Sequence, residues 1–334
     1  MITIYDIAKK AGVSPTTVSR VINNYEDVSA KTRKKVLETI EEMNYIPSPS
    51  ARSLSTKKSY LVGILFSEAL GIGIEHPFFS GVIEHFKRRM EFEGYDTMFV
   101  ATHLGNKEMS YLKHCQYRQL DGVFVVTGNL YEDKLHELLN SDIKCVTTDL
   151  IYKSTPRVSS DDYDGAAKVV SYFVDQGSHD IGIISGPLYV SSALTRYNGF
   201  VETYEKLVGN FDQRFFIESA DFDVNAGYEA AKLLVERFGR FNIPSCLFIG
   251  GDTIAIGVMK YLKEIGLQIP KDVKIIGYDD IEVAKQVSPA LSTVAQNRQA
   301  IGCGVAETLI SLIEGKEAEA EKVIDVELVL RETT

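Results

Sequence analysis

The sequence predicts an α/β protein: an N-terminal helix-turn-helix module joined by a hinge to a two-lobed body with doubly wound parallel sheets. Three observations carry that expectation. From Tyr60 onward short apolar runs alternate with amphipathic helical stripes, the pattern of βαβ units. Residues 1–46 carry no such runs and read as three short helices. The charge divides at the same place: residues 1–60 hold ten Lys and Arg against six Asp and Glu, whereas residues 61–334 hold 26 against 40. At roughly 150 residues per domain, 334 residues fit two globular domains and a small extra module.

In the head, Ile4, Ile7, Ala8 and Ala11 form the stripe of a first helix, and Gly12 ends it. Ser14 is placed to cap a second helix with Pro15 at its first position, where a missing N–H costs nothing. Val18, Val21 and Ile22 give that helix a buried face, leaving Pro15, Thr16, Thr17, Ser19, Arg20 and Asn23 outside it. Ser29 caps a third helix with Val36, Leu37, Ile40 and Met43 inward. Lys31, Arg33, Lys34 and Lys35 crowd its first turns, which is unfavourable for the helix dipole. A basic head on an acidic body points to a polyanionic partner for the head, and an α-helix fits the DNA major groove. On composition alone, a structural three-helix cap with a solvated polar face fits as well. Segment 46–59 is rich in Ser and Pro and reads as a linker, although Ser48, Pro49, Ala51, Arg52 and Leu54 could begin a turn or two of helix.

In the body the apolar runs are 61–66, 97–101, 122–126 and 145–148, then, after a junction near Pro156, 181–185, 215–218, 246–249 and 273–277. Stripes such as Phe79, Val82, Ile83, Phe86, Met90 and Tyr228, Ala231, Leu234, Val235, Phe238 fill the intervals. Two successive sets of four βα units imply two lobes. Doubly wound sheets bind ligands at the carboxyl ends of their strands, so two such edges should face one cleft. The candidates there are Asp149 and Asp279 at strand ends, Asp252 after Gly250-Gly251, and Arg196 on a helix, with Phe78, Phe79 and Phe222 in loops after strand ends. Each has a plainer reading, since strand-end Asp residues cap helices and loop phenylalanines pack under a lobe. His76 either joins the pocket or is a solvated loop histidine.

Several functional classes are excluded. With 45% hydrophobic residues and a mean hydropathy of −0.05, the chain has no stretch near the ~18 consecutive apolar residues of a membrane span. The N-terminus lacks a basic region followed by an apolar one, so no secretory signal is read and the cytoplasm is the expected location. Cys115, Cys145, Cys246 and Cys303 lie at least 30 residues apart, which suits neither a zinc site nor a short-loop disulfide framework. There is no Walker A, HExxH or GxSxG motif, and the Asp161-Asp162 and Asp279-Asp280 pairs are adjacent, so on a strand they would point to opposite faces. No enzyme, metal or cofactor is expected.

The run Ile4-Tyr-Asp-Ile-Ala-Lys-Lys-Ala-Gly-Val-Ser-Pro-Thr-Thr-Val-Ser-Arg-Val-Ile-Asn23, followed by Val28-Ser-Ala-Lys-Thr-Arg33 and Asn44-Tyr-Ile-Pro47, closely resembles the lactose-repressor (LacI/GalR) family of bacterial transcription regulators. The likeness continues in Ala51-Arg-Ser-Leu54, Gly186-Pro187, Arg196-Tyr-Asn-Gly-Phe200, Gly277-Tyr-Asp-Asp280 and Ser288-Pro-Ala-Leu-Ser-Thr-Val-Ala-Gln296. It implies a periplasmic-binding-protein-like body, with residues 1–46 as DNA-binding domain, 47–59 as hinge and 60–334 as effector-binding and dimerisation body. Lobe 1 is expected over 60–160 and 291–320, lobe 2 over 161–290 and 321–334, with crossings near 159–163, 287–291 and 320–324.

By this resemblance Pro15, Thr16 and Arg20 fall where bases are read, beside Ser19 on the same face. Asn23, Ser29 and Thr32 fall at phosphates, and Ala51 and Leu54 in a hinge helix whose leucine wedges into the minor groove. Gln296 joins Asp149, Arg196, Phe79, Phe222 and Asp279 at the effector. Gly251 departs from the family, which often has a polar side chain before that Asp. The expected protein is a homodimeric repressor of carbohydrate-utilisation genes on a pseudo-palindromic operator in double-stranded DNA. Because two carboxylates face one arginine, the expected effector is a neutral mono- or disaccharide, ahead of sugar phosphates and nucleosides. A regulator answering to a phosphoprotein corepressor, or a sugar-binding module without DNA function, are the alternatives.

Overall fold

The computed structural model describes residues 2–23, 25–46, 58–66, 73–128 and 132–334, and the chain divides into two units, Met1–Leu61 and Val62–Thr334. Ala51, Leu54 and the rest of the expected hinge helix lie outside the described residues.

Among the described residues the head holds three helices: α1 (Ile4–Ala11), α2 (Pro15–Ile22) and α3 (Ala30–Glu42). Gly12 takes the left-handed conformation, φ 65°, that turns the chain out of α1. The Ser14 hydroxyl accepts from the Thr17 N–H at 3.0 Å with Pro15 at the first position of α2, and Ser29 accepts from the Thr32 N–H at 3.3 Å to start α3. Ile7, Ala8, Ala11, Val18, Val21, Val36 and Tyr45 close a small core. Leu37, read as inward, is 49% exposed, and Thr39 is buried in its stead, its hydroxyl donating to the Lys35 carbonyl at 2.8 Å. The hydroxyl is satisfied within the helix, so hydropathy alone misplaces the stripe by part of a turn.

The body holds two six-stranded sheets. The first runs β13-β7-β6-β5-β1-β2, from β1 (Leu61–Phe66), β2 (Asp96–Phe99), β5 (Gly122–Thr127), β6 (Lys144–Thr147), β7 (Arg157–Ser160) and β13 (Glu321–Ile324). The second runs β14-β12-β11-β10-β8-β9, from β8 (Ile181–Ser185), β9 (Phe216–Glu218), β10 (Cys246–Ile249), β11 (Lys274–Asp279), β12 (Ser292–Gln296) and β14 (Val326–Val329). The pairings described in both sheets are parallel except β12 with β14, and the remaining strands, His103–Leu104 and Lys107–Glu108, form a small separate hairpin.

In the second sheet Cys246 and Phe248 face one core cluster with Ile181, Ile183 and Tyr278, while Leu247 and Ile249 face another with Ile184 and Ile275. Both faces are thus covered, which is why these strands read as unbroken apolar runs. The intervening helices that bear on the site are α4 (Pro77–Phe92), α7 (Asp162–Asp175), α8 (Ser191–Leu207), α9 (Val224–Phe238), α10 (Asp252–Glu264) and α11 (Arg298–Ile313). The chain crosses between lobes at Asp161, Asn297 and Asp325, so the expected lobe boundaries need correction. Residues 292–296 belong to lobe 2 and 321–324 to lobe 1. Strands of four or five residues carry no mark of which sheet they join, because partner choice is made by packing on neighbouring strands rather than by their own pattern.

Candidate functional site

On the head, the helix-turn-helix presents α2 with Val18 and Val21 buried against α1 and α3. Thr16 and Arg20 are exposed, and Pro15, Ser19 and Asn23 are half-buried on the same face. Asn23 ends α2, its side-chain amide donating to the Ser19 carbonyl at 2.9 Å. Ser29 and Thr32 sit together at the start of α3, their hydroxyls 2.9 Å apart, and Lys31 between them is exposed. A helix face that pairs one guanidinium fork with small polar groups, flanked by a helix N-terminus bearing hydroxyls, can offer base-edge contacts and phosphate contacts side by side.

In the body a cavity lies where strand ends of the two sheets meet, enclosing about 560 Å³ of space that is partly open to solvent. Phe78, Phe79, Asp149, Arg196, Phe222, Asp279 and Gln296 all line it, as do His76, Thr148, Ser160, Asp162 and Ser192. Asp149 follows β6; its carboxylate accepts from the Thr127 hydroxyl at 3.1 Å and from the Ser192 N–H, in the first turn of α8, at 3.3 Å. That second bond joins lobe 1 to lobe 2. Gln296 ends β12 and works at both sides: the Ser160 hydroxyl donates to its Oε1, and its Nε2 donates to Asp279, each at 2.6 Å.

Arg196 is the hub. Its Nε donates to Asp162 and its Nη1 to the Gly250 carbonyl, both at 2.7 Å; Asp279 lies 3.9 Å from Nη1, and the Tyr278 ring lies 3.7 Å below the guanidinium. Burial opposes the charge of Arg196, but Asp162, Tyr278 and Asp279 outweigh it, so the guanidinium holds its proton more tightly than a free one. Burial also raises Asp149, and it lifts Asp279 to about 6 against the opposing pull of Arg196. His76 precedes α4, and its Nδ1 is shut away from solvent with no hydrogen-bond partner among the described residues. Burial, and then the positive charge of Arg196, hold it down to about 4, so the imidazole is neutral.

Asp252 does not reach the cavity. It is fully buried, with one carboxylate oxygen accepting from the Thr293 hydroxyl at 2.7 Å and the other from the Ile281 N–H at 3.0 Å, and burial pushes its pKa well up. Any side chain at Gly277 would begin 2.2 Å from it. It ties α10 to β12 and to the loop after β11, the structural role open to a strand-end Asp. Phe222 fills the space that Gly186 leaves: a Cβ there would fall 2.3 Å from its ring, whereas one at Gly251 would meet the ring at an ordinary contact distance of 3.6 Å. Ser160, Asp162 and Ser192 carry no sequence signal of their own; their neighbours are set by lobe crossings and a helix start that are read only from the fold. Among the described residues no group of acidic, His or Cys side chains is suited to a metal, and no helix is long and apolar enough to cross a membrane.

Comparison with known proteins places these features together. Residues 3–48 match the family model for bacterial regulatory proteins of the lacI family, and residues 170–334 match that for a periplasmic binding protein-like domain. The chain is 32% identical over 340 residues to the HTH-type transcriptional repressor PurR of Pasteurella multocida (strain Pm70), covering 100% of this chain and 98% of that one. Among solved structures it is similar to the lac repressor dimer bound to operator and the anti-inducer ONPF, with a TM-score of 0.81, 26% identity, and coverage of 99% and 98%. It is also similar to a periplasmic binding protein/LacI transcriptional regulator from Alkaliphilus metalliredigens QYMF complexed with D-xylulofuranose, with a TM-score of 0.68, 26% identity, and coverage of 82% and 99%. A basic helix-turn-helix head, a two-lobed body of parallel sheets with a cavity at the strand ends, and this identity along the full chain make the protein a member of the lacI family of bacterial regulatory proteins.

Proposed function

We propose that the chain is a homodimeric repressor that binds a pseudo-palindromic DNA operator through α2 and takes a neutral, hydroxyl-rich molecule, a mono- or disaccharide, in the cavity of its body. The observation that carries the effector class is the charge of the cavity wall. Its one arginine is already engaged by Asp162 and the Gly250 carbonyl, with Asp279 beside it, and its histidine is held neutral. A phosphate would meet carboxylates with no uncommitted cation among the described lining residues. Sugar hydroxyls can donate to Asp149 and Asp279, while Phe78, Phe79 and Phe222 offer flat apolar surface to a ring face. The same phenylalanines favour a nucleoside or nucleobase as the second reading. Repression is supported by the name of the Pasteurella relative, and dimer formation and operator binding by the lac repressor complex.

Calorimetric titration of the full chain against neutral sugars, their phosphates and nucleosides tests the effector class. Neutral sugars should bind and their phosphates should not, and Asp279→Asn should weaken the sugar by about 10-fold, the loss of one charge-assisted hydrogen bond. Binding by phosphates alone would overturn the charge argument; binding by nucleosides alone would select the second reading. Light scattering should give twice the 37.2 kDa chain mass, and a stable tetramer would contradict the dimer.

A further inference from the structure

An acid stands at the DNA-facing side of the head, against the basic character of its surroundings. Arg20 Nη1 donates to Asp27 Oδ2 at 2.5 Å, and both side chains are about half exposed. The contact is built by the loop between α2 and α3. The Tyr25 N–H donates to the carbonyl of Arg20 itself at 3.0 Å, and Arg33 on α3 donates to the Tyr25 carbonyl. Those two bonds hold Tyr25 in place, and Asp27, two residues further on, meets the Arg20 guanidinium. An exposed pair adds little to stability, so holding the head together does not explain it.

We infer that Asp27 is a specificity-determining residue that positions the Arg20 fork and cancels its attraction for phosphate. This rests on the reading of α2 as the base-reading helix with Arg20 as its fork. A lone arginine on a DNA-facing helix is drawn to any phosphate, whatever the sequence. Paired with Asp27 it carries little net charge towards the backbone, and Asp27 repels phosphates that approach from its own side. A guanine edge is different, because O6 and N7 are neutral acceptors in fixed positions. The guanidinium has five N–H donors and the contact with Asp27 engages Nη1 alone, so donors remain for that edge on a side chain already ordered. Random DNA thereby loses an electrostatic contact that the correct base pair keeps.

The test uses the full chain and two duplexes of equal length: one enriched by the wild-type protein from a random-sequence pool, and one of scrambled sequence. Asp27→Asn should tighten binding to the scrambled duplex by about 3- to 10-fold near 0.1 M salt and steepen its log K against log salt slope by about 0.9, one further phosphate contact. Affinity for the enriched duplex should stay level or fall, so the ratio between the two narrows by at least about 3-fold. Asp27→Glu should restore the ratio, and the melting temperature should be unchanged in both variants. An unchanged ratio in Asp27→Asn, while Arg20→Ala still loses affinity for the enriched duplex alone, overturns the role of Asp27 and leaves the reading of Arg20 standing. Equal loss on both duplexes in Arg20→Ala overturns the reading of Arg20 and the inference with it.

Discussion

Replacing Arg196 by alanine is expected to destabilise the body by about 3–5 kcal/mol, the usual cost of removing one partner of a buried ion pair. Arg196 is 5% exposed, and Asp162 at 2.7 Å and Asp279 at 3.9 Å, both buried, would be left without it. The Gly250 carbonyl would lose its donor and the Tyr278 ring its cation. Lysine keeps the charge but cannot supply donors at Nε and Nη1 together, so Arg196→Lys should recover only part of the loss. Asp279→Asn placed on the Arg196→Ala background should recover about 1–2 kcal/mol, since it removes one of the uncompensated charges. Urea unfolding of the four proteins measures these values. A loss below about 1 kcal/mol for Arg196→Ala would mean that the acidic wall does not depend on this residue for neutralisation.

That acidic wall also shows where the sequence is informative and where it stops. Eight apolar runs mark eight strands, and those buried along their length, such as β1, β5, β8 and β10, need an apolar residue at nearly every position. Arg157–Ser160 and Glu321–Ile324 escape notice, being short, polar in part and partnered with each other at a sheet margin. Asp149, Arg196 and Asp279 are legible as candidates because strand ends face the cleft by topology. Asp252 shares the same local sequence logic and yet is consumed in tying α10 to β12; the difference is made by Gly277, which leaves room for its carboxylate on a neighbouring strand. Ser192 and Ser160 gain their roles only from bonds to Asp149 and Gln296, residues 43 and 136 positions away in the chain. Single serines carry no signal of such pairing.

Among the groups that set the stability of the body in mild acid, Asp279 and His76 of the cavity titrate in opposite senses. Burial raises Asp279 to about 6, above the unfolded value of about 3.9, so between those values the native state binds the extra proton. Its contribution to stability is present below pH 4 and is lost as pH rises through 6, by about 3 kcal/mol at most. His76, held to about 4 by burial and by Arg196, does the reverse. Its unfolded value is about 6.5, so here the unfolded state takes the proton first; stability is full above pH 6.5 and is lost, by about 3 kcal/mol, as pH falls towards 4. The two contributions have opposite slopes between pH 4 and 6. Asp279→Asn removes the term that falls with pH, so stability should climb more steeply than in the wild type as pH is raised from 4 to 6. His76→Gln removes the rising term, and stability should then fall over the same interval relative to the wild type. Denaturant unfolding at pH 4, 5, 6 and 7 measures both differences. Parallel curves for the wild type and Asp279→Asn would show that the carboxyl titrates near its ordinary value, and parallel curves for His76→Gln would show that water reaches the imidazole.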